Sequence, residues 1–239
     1  MKYKKQKAFT MAEVLITIGI IGVVAAMTLP TLMGAYKKSV TENKLKVMYS
    51  TLSNALQKIN SDYDLAFTPT EIIPNPGFSK DLSKRVFEHY IAPHLQIIHR
   101  LENEIFQSYN IKGEGANYYN NSYCVILVNG TALCFTQDPK KGNMYFYVII
   151  NPSKEKLVAG RDIFFFAVER DINNGDLNMN LNMGDTLSKN YNNATRNQYI
   201  QNCISSVAYP QYSLLRDAFC TYLIFENNWK IPKDYPIKF

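Results

Sequence analysis

The sequence predicts an α+β fold, in which one long N-terminal helix, transmembrane and then amphipathic, packs on an antiparallel β-sheet head. Three observations predict it. An uncharged apolar run extends from Val14 to Met33. Apolar residues then recur at three- and four-residue steps through Leu45, Met48, Leu52, Ala55 with Leu56, Ile59 and Tyr63, the stripe of an amphipathic helix. Past Pro69, Pro74 and Pro76 the middle of the chain becomes dense in β-branched and aromatic residues, the composition of strands.

The 239 residues carry Lys+Arg 26 against Asp+Glu 20, a length that can bury a sizeable core. Lys2, Lys4, Lys5 and Lys7 precede any acid, and outside them 22 basic face 20 acidic residues. No basic surface is left to bind nucleic acid. The apolar run holds only Thr17, Thr28 and Thr31 as polar residues. About 20 such residues at 1.5 Å rise span a bilayer core. A secretory signal peptide would have a shorter apolar core and a small-x-small cleavage site. Here the run is longer and Val24-Ala25-Ala26 is a weak site; a secreted enzyme beginning near Met27 is the reading that would follow from it. The leader lysines favour a cytoplasmic N-terminus, and Lys37 with Lys38 at the far end weaken that argument without reversing it.

Glu13 interrupts this pattern. A carboxylate inside an apolar helix is costly in lipid and marks a functional site by default. Cleavage between Ala8 and Phe9 would create an α-amino group one helical turn from Glu13, ordinarily protonated at neutral pH. The carboxylate could take that cation from its own chain or from a neighbouring subunit, relieving a cost the isolated subunit carries. The plainer alternative is a helix-start carboxylate at headgroup level, favoured by the helix dipole.

A lysine-rich leader, Ala8-Phe9-Thr10-Met11-Ala12-Glu13, and then Val14-Leu15-Ile16-Thr17-Ile18-Gly19-Ile20-Ile21-Gly22 resemble the class III signal of type IV pilins and type II secretion pseudopilins. The resemblance implies that a prepilin peptidase cuts between Ala8 and Phe9 and N-methylates Phe9, and that Glu13 is the assembly carboxylate. Pro30 matches a proline the family often carries in this helix, where it removes a hydrogen bond. Ala8 departs from the family, which usually has Gly before the cut. The chain then divides into a leader (1–8), a transmembrane and assembly helix (9–35), the amphipathic half of the same helix (36–65), and a globular pilin-like head (66–239). The implied location is the bacterial inner membrane, single-pass, with the head on the non-cytoplasmic side and in a filament or at the cell surface after assembly. The implied partners are other pilin-like subunits, prepilin peptidase, the inner-membrane assembly machinery and membrane lipid.

Within the head a second helix is expected over residues 80–90, continuing past Pro93 to Ile98. Strands are expected over 123–128, 131–136, 144–150 and 163–169, forming a sheet of about four strands covered on one face by the long helix. Asn129-Gly130 is a hairpin turn. Residues 151–166, ending Gly160-Arg161-Asp162-Ile163-Phe164-Phe165-Phe166, resemble a strand-loop-strand element of pilin-like heads. Residues 171–185 read as a loop, and 212–239 as a mixed tail.

Cys124, Cys134, Cys203 and Cys220 all fall in the head, where an even count favours disulfides over free thiols. Three pairings exist. The preferred one is Cys124–Cys134, set opposite each other if Val128-Asn129-Gly130 is a three-residue loop with a Gly bulge, together with Cys203–Cys220, which closes a loop near the C-terminus as in many pilins. No Cys-x-x-Cys occurs, so zinc is not expected. His89, His94 and His99 recur by five and do not share a helix face, so no metal site is expected from them. Asp171, Asn173, Asp176 and Asp185 could offer calcium oxygens but miss the EF-hand order, and a solvated loop is preferred; no cofactor is expected. Gly113-Glu114-Gly115-Ala116 lacks the third Gly of a dinucleotide loop. No nucleophile elbow, phosphate loop or zinc-hydrolase signature is found. The chain reads as a non-enzyme: a structural subunit of a type IV pilus or type II secretion pseudopilus, the alternative being a non-polymerising membrane-anchored binding protein.

Overall fold

The computed structural model describes residues 9–62, 79–102, 106–109, 117–118, 122–137, 143–170, 176–181, 195–204 and 215–239. Ala8, Tyr63, the prolines at 69, 74 and 76, residues 113–116, Asp171, Asn173 and Asp185 lie outside them. The chain forms two compact units, Met1–Val40 with Phe239, and Thr41–Lys238.

Helix α1 (Met11–Asp62) contributes to both units and continues through Pro30. In the first unit its apolar side chains face outward, Leu15, Ile16, Ile18, Ile20 and Ile21 among them. The three polar residues of that stretch satisfy themselves: Thr17 donates to the Val14 carbonyl, Thr28 to Val24 and Thr31 to Thr28. A hydroxyl that bonds back to its own helix does not expose an unpaired donor to lipid.

In the second unit α1 buries Thr41, Glu42, Leu45, Met48, Leu52, Ala55, Leu56 and Ile59, the stripe read from the sequence. The next helix begins as expected. Ser79 caps α2 (Lys80–Val86) by accepting from the Leu82 N–H, a π-helical turn follows over Phe87–Ile91, and a 3₁₀ turn over Ala92–His94 ends the helical run. The expected continuation to Ile98 is corrected. Pro93 cannot extend the ladder, and Ile97–Leu101 is strand β1.

The remaining strands are β2 (Gln107–Tyr109), β3 (Asn117–Tyr118), β4 (Tyr123–Leu127), β5 (Ala132–Gln137), β6 (Met144–Ile149), β7 (Leu157–Val158), β8 (Ile163–Arg170) and β9 (Leu177–Asn180). The main sheet has six strands, ordered β1-β4-β5-β6-β8-β9 and antiparallel throughout. Its centre is the four strands read from the sequence. The two edges, β1 and β9, are additional, and β9 corrects the loop reading at residues 177–180. A small second sheet, β3-β2-β7, joins β2 antiparallel to β3 and parallel to β7.

Both faces of the main sheet are covered. On one face Phe87 of the π turn meets Tyr123 and Phe135 at 5.6 and 5.7 Å, Lys44 of α1 donates to the Ile150 carbonyl, and Asn60 of α1 exchanges two bonds with the Leu177 backbone. That exchange satisfies the backbone of Leu177 at the start of the edge strand β9. The other face, with Cys124, Cys134, Tyr145, Tyr147, Phe165 and Ala167, packs on α3 (Arg196–Ile204) and α4 (Leu215–Glu226). Every residue of β5 and of β6 is therefore buried. The architecture is α+β and pilin-like.

Candidate processing and assembly site

Chemistry concentrates at the start of α1. Thr10 is its N-cap. The Thr10 N–H and Oγ1 both donate to Glu13 Oε2 at 2.8 Å, and the Glu13 N–H donates back to Thr10 Oγ1 at 3.3 Å. This reciprocal pair is a capping box: the side chains of the cap residue and of the third helical residue each satisfy a backbone N–H that the helix cannot. Glu13 therefore lies in the first turn of α1, one turn from Phe9. Phe9 precedes the helix and is 86% exposed. The capping role of Thr10 was not read from the sequence, although Thr-x-x-Glu before an apolar run is its signature.

Further along α1, a Cβ at Gly19 or Gly22 would meet nothing within 4 Å. Small residues of this kind let a second helix approach closely in lipid. Pro30 lies within the helix.

The head has fixed features of its own. The disulfides are Cys124–Cys134 and Cys203–Cys220, the preferred pairing. Cys124 faces Cys134 across the β4–β5 register. Gly130 has φ +73° and its N–H bonds the Leu127 carbonyl, which is the three-residue loop with a Gly bulge. Glu42 of α1, buried, accepts from Lys230 Nζ at 2.8 Å and from the Ile231 N–H at 2.9 Å. Beside it Trp229 takes φ +62°, a left-handed backbone uncommon for a bulky residue; its ring packs on Tyr49, Phe166 and Phe225. In the 151–166 element Asp162 accepts from Lys154 Nζ at 2.7 and 2.8 Å and from the Val158 N–H at 2.8 Å. No local pattern in the sequence pairs Glu42 with Lys230, because the two lie 188 residues apart.

His89 lies on the π turn, His94 on the 3₁₀ turn and His99 on β1. Among the described residues no three His, Cys, Asp or Glu side chains converge as metal ligands; of the four calcium candidates only Asp176 is described. Among the described residues α1 is the one helix long and apolar enough to cross a membrane.

Comparison with known families places both parts of the chain. Residues 31–239 match the model of a family of unknown function (DUF6613), and residues 3–29 match the prokaryotic N-terminal methylation motif. That motif is the prepilin-type signal of type IV pilins and pseudopilins. No curated protein and no solved structure matches the chain.

Proposed function

Because the chain belongs to the family of unknown function DUF6613 and carries a prokaryotic N-terminal methylation motif, we propose that it is a pilin-like structural subunit. It is made as a precursor, held in the inner membrane by α1, cut between Ala8 and Phe9 and methylated at Phe9. It then polymerises helix to helix into a type IV pilus or a type II secretion pseudopilus. The observation that carries this reading is the methylation motif at residues 3–29 on a helix whose apolar side chains are exposed from Leu15 onward. Apolar surface of that extent needs lipid or other copies of the helix to cover it. Glu13 and the Phe9 amino group set subunit register, and the head faces outward.

The test is the N-terminal peptide mass of native protein from a membrane fraction, with filament recovery from the same cells. A peptide beginning at N-methylated Phe9, in protein that sediments as filaments, is expected. A methylated Phe9 on a subunit that never polymerises would support the anchored binding protein instead. An intact Met1 would make α1 a plain signal anchor, and a start near Met27 would refute the reading.

A further inference from the structure

Resting on that reading, we propose that Thr10 is a positioning residue for precursor cleavage: its capping box with Glu13 stops α1 at Met11 and holds the residue after the scissile bond outside the helix. The contacts at this end converge on Thr10. Its N–H and hydroxyl donate to Glu13 Oε2, its Oγ1 accepts from the Glu13 N–H, and its carbonyl takes the first helical bond, from the Val14 N–H at 3.3 Å. A box of this kind fixes the helix start at one residue.

The consequence lies one residue upstream. Phe9 is non-helical and exposed. A peptidase must lay the substrate backbone open along its cleft, and a bond wound into a helix has its carbonyls committed to the next turn. Upstream of Thr10 no residue can stop the helix in its place. Gln6, Lys7, Ala8 and Phe9 lack the short oxygen-bearing side chain of a good cap, and Ala is the strongest helix former. With the cap gone, nothing in these side chains opposes a further helical turn. Without the Thr10 cap the helix extends over Phe9 and Ala8 and takes in the scissile bond.

This role separates from the charge of Glu13. Glu13→Gln keeps an acceptor for the box and removes the charge, while Thr10→Ala keeps the charge and removes the cap. The experiment incubates full-length precursor in detergent with prepilin peptidase and follows the N-terminal peptide mass over time. Thr10→Ala is expected to be cut at least about fivefold more slowly, with Thr10→Ser and Glu13→Gln cut at the wild-type rate. In micelles the Phe9 amide and Cα shifts should become helical in Thr10→Ala alone. Wild-type cleavage of Thr10→Ala, or slowing of Thr10→Ser to the same degree, would overturn the inference and leave the functional reading standing. A wild-type precursor that is never cut would overturn the functional reading itself.

Discussion

Gly160 has φ +75°, and a Cβ placed there would lie 2.5 Å from Cys220 Sγ and 2.7 Å from both Cys220 Cβ and Ile237 Cδ1. Cys220 cannot step aside, since it is bonded to Cys203, and the Gly160 carbonyl is held by the Tyr235 hydroxyl. Gly160→Ala therefore adds overpacking to left-handed strain, about 2–4 kcal/mol together. At about 2–4 °C per kcal/mol for a unit of this size, the melting temperature of the full chain in detergent should fall by about 5–15 °C. Gly130 is the control. Its φ is +73°, yet nothing lies within 4 Å of its Cβ position, so Gly130→Ala carries the strain alone, about 1–2 kcal/mol. Equal shifts for the two variants would show that the contact with Cys220 costs nothing.

Among the elements, the π turn after α2 is tied to two neighbouring strands of the sheet through one carboxylate. Glu88 accepts from Arg100 of β1 at 2.7 and 3.0 Å and from the Tyr123 hydroxyl of β4 at 2.6 Å. Arg100 first, and then Tyr123, hold the Glu88 carboxyl below its ordinary value of 4.5, with burial acting against them. A lowered folded-state value means that Glu88 contributes stability above pH 4.5, which is lost as pH falls through that value toward the folded one. The denaturation midpoint of wild type should exceed that of Glu88→Gln at pH 7, and the gap should close as pH falls below 4.5. A constant gap across that range would remove the electrostatic account. The same region shows where the sequence stops being legible. The central strands announce themselves by composition, and the unbroken apolar run of β6, Met144 to Ile149, is itself the mark of a strand covered on two faces. The edges depend on distant partners: β1 needs β4, and β9 needs both β8 and the Asn60 amide of α1. Local pattern cannot supply those partners. At the candidate site a carboxylate in an apolar run is visible in any reading of the sequence. The need for Gly at 160 is not, because Cys220 and Ile237 arrive from elsewhere in the chain.

At the scale of the whole molecule the two units have opposite surfaces. The second closes its core on both faces of the sheet and carries two disulfides. The first exposes an apolar helix whose first turn carries Glu13, and in the proposed function lipid or other copies cover it. Polymerisation should then depend on the first unit, and within it on charge as distinct from capping. Glu13→Gln retains an acceptor for Thr10 and adds no bulk, so insertion, cleavage and methylation should proceed. The neutral amide cannot form a charge-assisted bond to a neighbour's Phe9 ammonium, and such bonds are about twice as strong as neutral ones. Methylated subunits should accumulate in the membrane while sheared filament yield, followed by immunoblot and electron microscopy, drops at least about tenfold. Normal filaments from Glu13→Gln would mean that apolar packing along α1 sets subunit register without the ion pair.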